Sequence, residues 1–433
     1  MQKPTFKEAL SFWIKLGFIS FGGPAGQIAI MHEYLVEKKK WISESRFMHA
    51  LNYCMFLPGP EAQQLAIYTG WLLHGLKGGL AAGIFFVLPS MFILLGLSMA
   101  YVALGNTVAY NLFIGLKPAV VAIVILAVIK IGRKSLNGIF HYLIAALSFI
   151  SIFFFNVPFP LIILVVVLLA VAVLYFFPAA YTQGNKAAGV KAVNESEYYI
   201  NAATINHDAK FNWLVLTRQV VTAAALWLVP FVAFYFLSSH FNFWEKLSVF
   251  FTKAALVTFG GAYAVLPYVA QVSVEKFHWL TNLQMVDGLA LGETTPGPLI
   301  MVLAFVGFMA GYNQYQSLAM GAVGLLVTTF YTFLPGFLFV LAGAPIIERT
   351  QDNEKLKQVF NVITAAVVGV VFNLALYLGK AVVFTGTGIG GVNYVALLWV
   401  VVSLVALHSF KVNMILWIAL SAVVGMVWQY IPF

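Results

Sequence analysis

Hydrophobic positions in this chain fall in long blocks, and polar positions are confined to what separates them. Blocks at residues 82–103, 113–131, 139–155, 157–177, 213–237, 320–341, 360–378, 391–407 and 412–430 contain few charged side chains. A helix needs about 20 such residues to cross the hydrocarbon core of a bilayer, so the pattern predicts an all-α, polytopic membrane protein. A transmembrane barrel would instead show alternating segments of about ten residues, and these do not occur. The longest polar stretch, 178–212, holds Lys186, Lys191, Glu195, Glu197, His207, Asp208 and Lys210 and reads as a linker.

Two short motifs interrupt the apolar pattern, and each occurs twice. Phe21-Gly22-Gly23 returns as Phe259-Gly260-Gly261, and Pro58-Gly59-Pro60 returns as Pro296-Gly297-Pro298, both at an offset of 238. Lys15/Lys253, Glu37-Lys38/Glu275-Lys276 and Trp41/Trp279 keep the same register, with no gap from Phe12 to Pro60. This is an internal duplication. After the second Pro-Gly-Pro the register slips by about eight near 311–318; blocks 82–103 and 320–341 are then expected to correspond, as are 113–131 and 360–378. The chain divides into a first repeat (1–178), a polar linker with one connecting helix (179–240) and a second repeat (241–433). An even number of crossings per repeat plus one connecting span turns the second repeat over, which predicts inverted-topology repeats.

Charge refines the topology. The 433 residues are 62% hydrophobic and 9% charged, with a net charge of +9. The cations sit at the ends of apolar blocks, as topology signals do, so nucleic acid is not an expected partner and the lipid bilayer is. An N-terminus in the cytoplasm places Lys130, Arg133, Lys134, the linker, Arg349, Lys355 and Lys357 inside, and leaves turns 105–107 and 311–317 without Lys or Arg outside. A full first crossing would put Lys38-Lys39-Lys40 and Arg46 outside, against that rule. Breaks at both motifs remove the conflict: each half then opens with two re-entrant helical hairpins, giving nine crossings and four hairpins, against thirteen simple crossings if the motifs only kink full spans. Lys15 interrupts the first apolar run and no small-residue cleavage site follows, so no signal peptide is expected. Cys54 is the single cysteine and His32, His49 and His74 lack ligand spacing, so neither disulfide, metal nor cofactor is expected. No nucleotide-binding fingerprint or nucleophile elbow is present, and the chain does not read as an enzyme.

Broken helices are tolerated at membrane depth where they are buried in protein or line a watery cavity. Helix N-termini carry partial positive charge and free N–H groups, which suits an anion. Gly22, Gly23, Gly59, Gly260, Gly261 and Gly297 are therefore candidate sites of backbone approach to an oxyanion. Gln63, Gln64 and Thr295 are candidate neutral hydrogen-bond partners, with Gln27 and Thr294 beside them. Lys15 and Lys253, about 9 Å along a helix before each Phe-Gly-Gly, are candidate counter-charges. Glu61 and Glu293 are carboxylates at membrane depth and candidates for coupling or gating; they are not repeat equivalents. Pro58, Pro60, Pro296 and Pro298 make the structural breaks. The bland alternatives are kinks and packing for Gly and Pro, snorkelling for Lys, and helix capping for Glu61.

The stretches SFGGPAGQIAIMHEYLVEKKKWISESRF, LPGPEAQQLAIYTGWLLHG, VTFGGAYAVLPYVAQ and ETTPGPLI resemble the chromate ion transporter family in its long-chain, two-domain form, over essentially the whole chain. The resemblance implies chromate efflux across the cytoplasmic (inner) membrane, chromate resistance, and recognition of sulfate, which shares chromate's charge and tetrahedral shape. It is compatible with a homo-oligomer. A carrier of another anion, a channel and a membrane scaffold remain as alternatives.

Overall fold

Backbone N–H and C=O groups in hydrocarbon must pair within their own segment, so uninterrupted apolar blocks fold as helices. The computed structural model describes residues 3–21, 23–55, 57–176, 195–201, 213–259, 261–347, 354–384 and 391–428. Among them β-pairing is limited to two isolated bridges. The first half contains α1 (Phe6–Ile19), α2 (Gly23–His32), a π-helical turn (Glu33–Lys38), α3 (Glu44–Cys54), α4 (Glu61–Ala103), α5 (Gly105–Ser135), α6 (Ile139–Phe155) and α7 (Phe159–Phe176). After the connecting α8 (Trp213–Leu237) come α9 (Phe241–Leu256), α10 (Ala262–Gln271), a second π-turn (Val272–Lys276), α11 (Asn282–Thr294) and α12 (Val302–Tyr315). The chain closes with α13 (Leu318–Ile347), α14 (Glu354–Val383), α15 (Tyr394–His408) and α16 (Met414–Trp428). Six helices among the described residues, α4, α5, α7, α8, α13 and α14, are long and apolar enough to cross a membrane. The chain is an all-α, multi-pass membrane protein.

The helical segments at the motifs, with α4 counted only as far as its kink at His74–Gly75, are too short to cross, and their ends come back together. α1 has 14 residues, about 21 Å at 1.5 Å per residue, against a hydrocarbon core of about 30 Å. Its first turn carries Glu8, and Lys39, beyond α2, donates to the Glu8 carboxylate at 2.8 Å. The next hairpin closes likewise. α3 leads down to Pro58-Gly59-Pro60, and α4 climbs back until His74 Nε2 donates to the Pro4 carbonyl at 2.9 Å. There α4 kinks at His74 and Gly75 before its long remainder. In the second half the rings of Phe243, on α9, and Trp279 lie 6.3 Å apart. Asn313, at the end of α12, donates to the Trp279 carbonyl at 2.9 Å and to Gln284 at the start of α11 at 3.1 Å.

The duplication holds at atomic detail. Lys40 and His278, 238 apart, both adopt left-handed conformations, with φ of 51° and 52°. The Trp41 and Trp279 N–H groups donate to the Leu35 and Ser273 carbonyls, each at 2.8 Å. Beyond the hairpins the packing of Ser90 against Gly297 and of Gly336 against Gly59 corrects the expected correspondence of 82–103 with 320–341. Leu88-Pro89-Ser90 matches Leu334-Pro335-Gly336, an offset of 246, so 82–103 aligns with 328–349. The first half passes through the His74–Gly75 kink within one helix, whereas the second ends α12 and turns through Gln316 (φ 49°) before α13 begins. The extra residues are absorbed in that turn.

The last described part of the linker docks on the first half. The Ile200 N–H donates to the Trp41 carbonyl and the Ser43 N–H to the Ile200 carbonyl, both at 2.9 Å. Ile200 is buried in the cluster formed by Leu35, Trp41 and Phe47. Lys40 pairs with Glu197, and its ammonium holds the Glu197 carboxyl below the usual carboxylate range. The remainder of the expected linker, and Arg349, lie outside the described residues.

Candidate functional site

The four breaks meet in two pairs. The Gly59 N–H donates to the Thr258 carbonyl at 2.8 Å, and the Gly297 N–H donates to the Ser20 carbonyl at 2.8 Å. Ser20 and Thr258 each immediately precede a Phe-Gly-Gly and are 238 apart. Each Pro-Gly-Pro tip is thus held by the Phe-Gly-Gly break of the other half, not by the other Pro-Gly-Pro. Both acceptors are fixed alike: Ser20 Oγ donates to Leu16 O at 2.6 Å and Thr258 Oγ1 to Ala254 O at 2.7 Å. Gln27 adds a bond in one half only, donating from Nε2 to the Gly297 carbonyl at 2.6 Å. The tip glycines have φ of 127° (Gly59) and 98° (Gly297), conformations that side chains disfavour.

Close packing seals both junctions. A methyl on Gly297 would lie 2.7 Å from Ser90 Cβ, and one on Gly59 would lie 4.0 Å from Gly336 Cα. Ser90 and Gly336 occupy equivalent places in the two halves. The N–H groups of Gly59 and Gly297, read from the sequence as donors to an anion, are committed to the protein in this conformation. Gly23 (φ 68°) opens α2, and Gly261 (φ 95°) precedes α10. Gly22 and Gly260 lie outside the described residues. Pro60 is the residue before α4, Pro298 precedes the 3-10 turn Leu299–Met301, and Pro296 is buried beside it; Pro58 accepts through its carbonyl from Gln64 Nε2 at 2.8 Å.

Polar groups gather around the junction. Gln63 is fully buried, and neither of its amide atoms has a protein partner. Its Oε1 lies 3.3 Å from where a Gly336 methyl would sit. Buried amides carry a substantial penalty when unpaired, so this side chain is a polar group available to a ligand. Gln64 Oε1 and Ser90 Oγ share that condition. Thr295 is buried and donates to the Gly292 carbonyl at 3.1 Å.

Glu61 and Glu293, although not repeat equivalents, each contact a residue in the segment 261–263. Glu61 is half-buried in the first turn of α4, and its Oε1 would be 3.5 Å from a methyl on Gly261. Glu293 is buried and accepts from Tyr263 O–H at 2.6 Å. One carboxylate from each half therefore addresses the start of α10, at Gly261 and Tyr263.

Lys15 and Lys253 are both exposed, and the structure does not bring them to the junction. Among the described residues the buried cations are Arg46 and Lys117. Lys117, on α5, lies 3.3 Å from Asp287 of α11, and Tyr101 O–H of α4 donates to the other Asp287 oxygen at 2.9 Å. Sequence reasoning missed this triad, along with Ser20, Thr258, Ser90, Gly336 and Tyr263. A lysine within an apolar block is a visible signal, and so is the Leu-Pro-Ser/Leu-Pro-Gly match at offset 246.

The family model described as Chromate transporter matches residues 7–176 and 245–426. The chain is similar to a chromate transport protein of Cupriavidus metallidurans, 28% identical over 377 residues, covering 87% of this chain and 83% of that one. It is similar to a chromate transport protein of Pseudomonas aeruginosa, 30% identical over 373 residues, covering 85% and 79%. A probable chromate transport protein of Synechococcus elongatus is 26% identical over 381 residues, covering 87% and 85%. No solved structure matches.

Proposed function

The chain belongs to the chromate transporter family, and from that premise we propose that it is a secondary transporter that exports chromate across the cytoplasmic membrane and confers chromate resistance. The observation that carries this reading is the reciprocal pair of bonds, Gly59 to Thr258 and Gly297 to Ser20. It pairs four helix breaks, contributed equally by two repeats, in two junctions across the repeat interface, and inverted-repeat carriers bind their substrates at such interfaces. Gln63, Gln64, Ser90 and Thr295 supply neutral hydrogen-bonding groups there. Glu61 and Glu293 act as gates or proton carriers rather than as ligands, since a carboxylate repels an oxyanion. Sulfate, with the same charge and shape, competes for the site.

Everted membrane vesicles containing the protein are expected to accumulate labelled chromate faster than vesicles lacking it, and excess sulfate is expected to slow that uptake. Vesicles that neither accumulate chromate nor bind it in competition with other anions refute the reading. A different anion as the better competitor identifies a different cargo, and flux at channel rates identifies a pore.

The same proposal sets the topology. Glu8, Lys39, Lys40 and Glu197 are joined at one end of the first-half hairpins, and the cations of residues 38–40 favour the cytoplasmic side. The N-terminus is then cytoplasmic, the hairpins re-enter, and tip-to-break contact has the second pair entering from outside. In a Cys54→Ala background, Lys39→Cys is expected to resist an impermeant thiol reagent in intact cells and to react in everted vesicles. Labelling in intact cells overturns this orientation.

A further inference from the structure

A dianion carried through a membrane needs a positive charge on its route, and the lysines expected from the sequence to supply it are exposed. Lys117 is 9% exposed and lies within α5, whereas Arg46, the other buried cation among the described residues, stands near the start of α3 at the open end of its hairpin. We propose that Lys117 is the cationic anchor for the transported oxyanion and that Asp287 is its resting counter-ion, released from Lys117 when the anion binds. This inference rests on the transport reading above.

Placement supports the exchange. Asp287 is 3% exposed and accepts from Tyr101 through the oxygen that does not face Lys117. Tyr101 can therefore hold the carboxylate when Lys117 leaves it. The pair joins α5 of the first half to α11 of the second, so any relative movement of the repeats acts on it. α11 runs from Asp287 straight to Glu293 and the second Pro-Gly-Pro, with Pro296 nine residues on, about 13 Å at helical rise. The pair is not part of the duplicated scaffold. His49 stands at the repeat position of Asp287, and Thr364 at that of Lys117 given the match of Phe113 to Phe360. Charges inside a membrane are rare and mark substrate or ion pathways. A buried ion pair contributes little net stability compared with apolar residues of similar size, so stability alone does not account for it.

Three variants separate this from a structural staple: Lys117→Met, Asp287→Asn and the double variant. Each is assayed for chromate flux in everted vesicles and, as detergent-purified protein, for the rise in Tm produced by chromate or sulfate. Lys117→Met is expected to lose flux by about tenfold or more, the scale of one charge-assisted hydrogen bond, and to lose the oxyanion-induced rise. Asp287→Asn removes the internal competitor. Its oxyanion-induced rise is expected to exceed that of the wild type, with apparent half-saturation tightened by about threefold or more. The double variant is expected to fold, because no charge is left unpaired, and to remain inactive. Wild-type flux in the double variant, or an unchanged oxyanion response in Asp287→Asn, makes the pair a staple and overturns the proposal. A wild-type protein that neither transports chromate nor is stabilised by it refutes the transport reading, and this inference with it.

Discussion

Replacing Gly297 with alanine is expected to abolish chromate flux and to cut the yield of folded protein sharply. The residue sits at φ 98°, where a side chain costs about 1–2 kcal/mol. The new methyl would also lie 2.7 Å from Ser90 Cβ, a separation that neither atom can keep. Relief requires α4 or the tip to move, which breaks the Gly297 bond to Ser20, a further cost of about 1 kcal/mol. Ser90→Gly should rescue part of this loss, because it removes the clashing atom and copies Gly336 of the other half. The backbone strain would remain, so rescue should stop short of wild type. Size-exclusion yield and thermal unfolding of the purified protein measure both steps. Undiminished stability in Gly297→Ala would mean that the tip is not held as described.

The second large effect concerns the carboxylates. Glu293→Gln is expected to lower flux by about tenfold or more, as loss of an intramembrane ionisable group on the pathway does, while folded yield stays near wild type. Glutamine keeps the shape of glutamate and still accepts from Tyr263 O–H, so a role as hydrogen-bond acceptor would survive the change. Glu61→Gln is expected to behave alike, because both acids address the start of α10. Lys15→Ala and Lys253→Ala provide the contrast: both lysines are exposed, and smaller losses are expected. Wild-type flux in both glutamine variants would reduce the acids to a cap and a packing group.

Much of the fold was legible in the sequence because its causes are local. An apolar block of 25 residues at Trp213–Leu237 has one way to satisfy its backbone in lipid, and Pro-Gly-Pro stops a helix in any setting. The excess of lysine at residues 38–40 argued against a full first crossing, and in the fold the chain beyond α2 returns to Glu8 of α1 through Lys39. The junction was harder to read. Its central bonds run from backbone to backbone, and a backbone carbonyl leaves no mark on residue type, so Ser20 and Thr258 looked like unremarkable neighbours of the glycines. The residues added at the Gln316 turn hid the match of Ser90 to Gly336. Lys117 and Asp287 stand 170 positions apart, and their pairing follows from how α5 packs on α11, which hydrophobicity does not encode. Glu61 and Glu293 were found as residues, but the contact of Glu61 with Gly261 depends on tip-to-break pairing.

The two bonds at the junction have the form of a symmetric dimer interface, in which a residue of one partner contacts a second residue of the other and the relation holds in reverse. Neither half is a closed unit. Separated from the other, each would show a tip with an unbonded N–H and a break with an unused carbonyl, and each carries the groups that complete its counterpart. The chain is in this sense a heterodimer written as one polypeptide, with α8 as the covalent joint. Its two partners differ in sequence, so Lys117 belongs to one and Asp287, Tyr263 and Glu293 to the other.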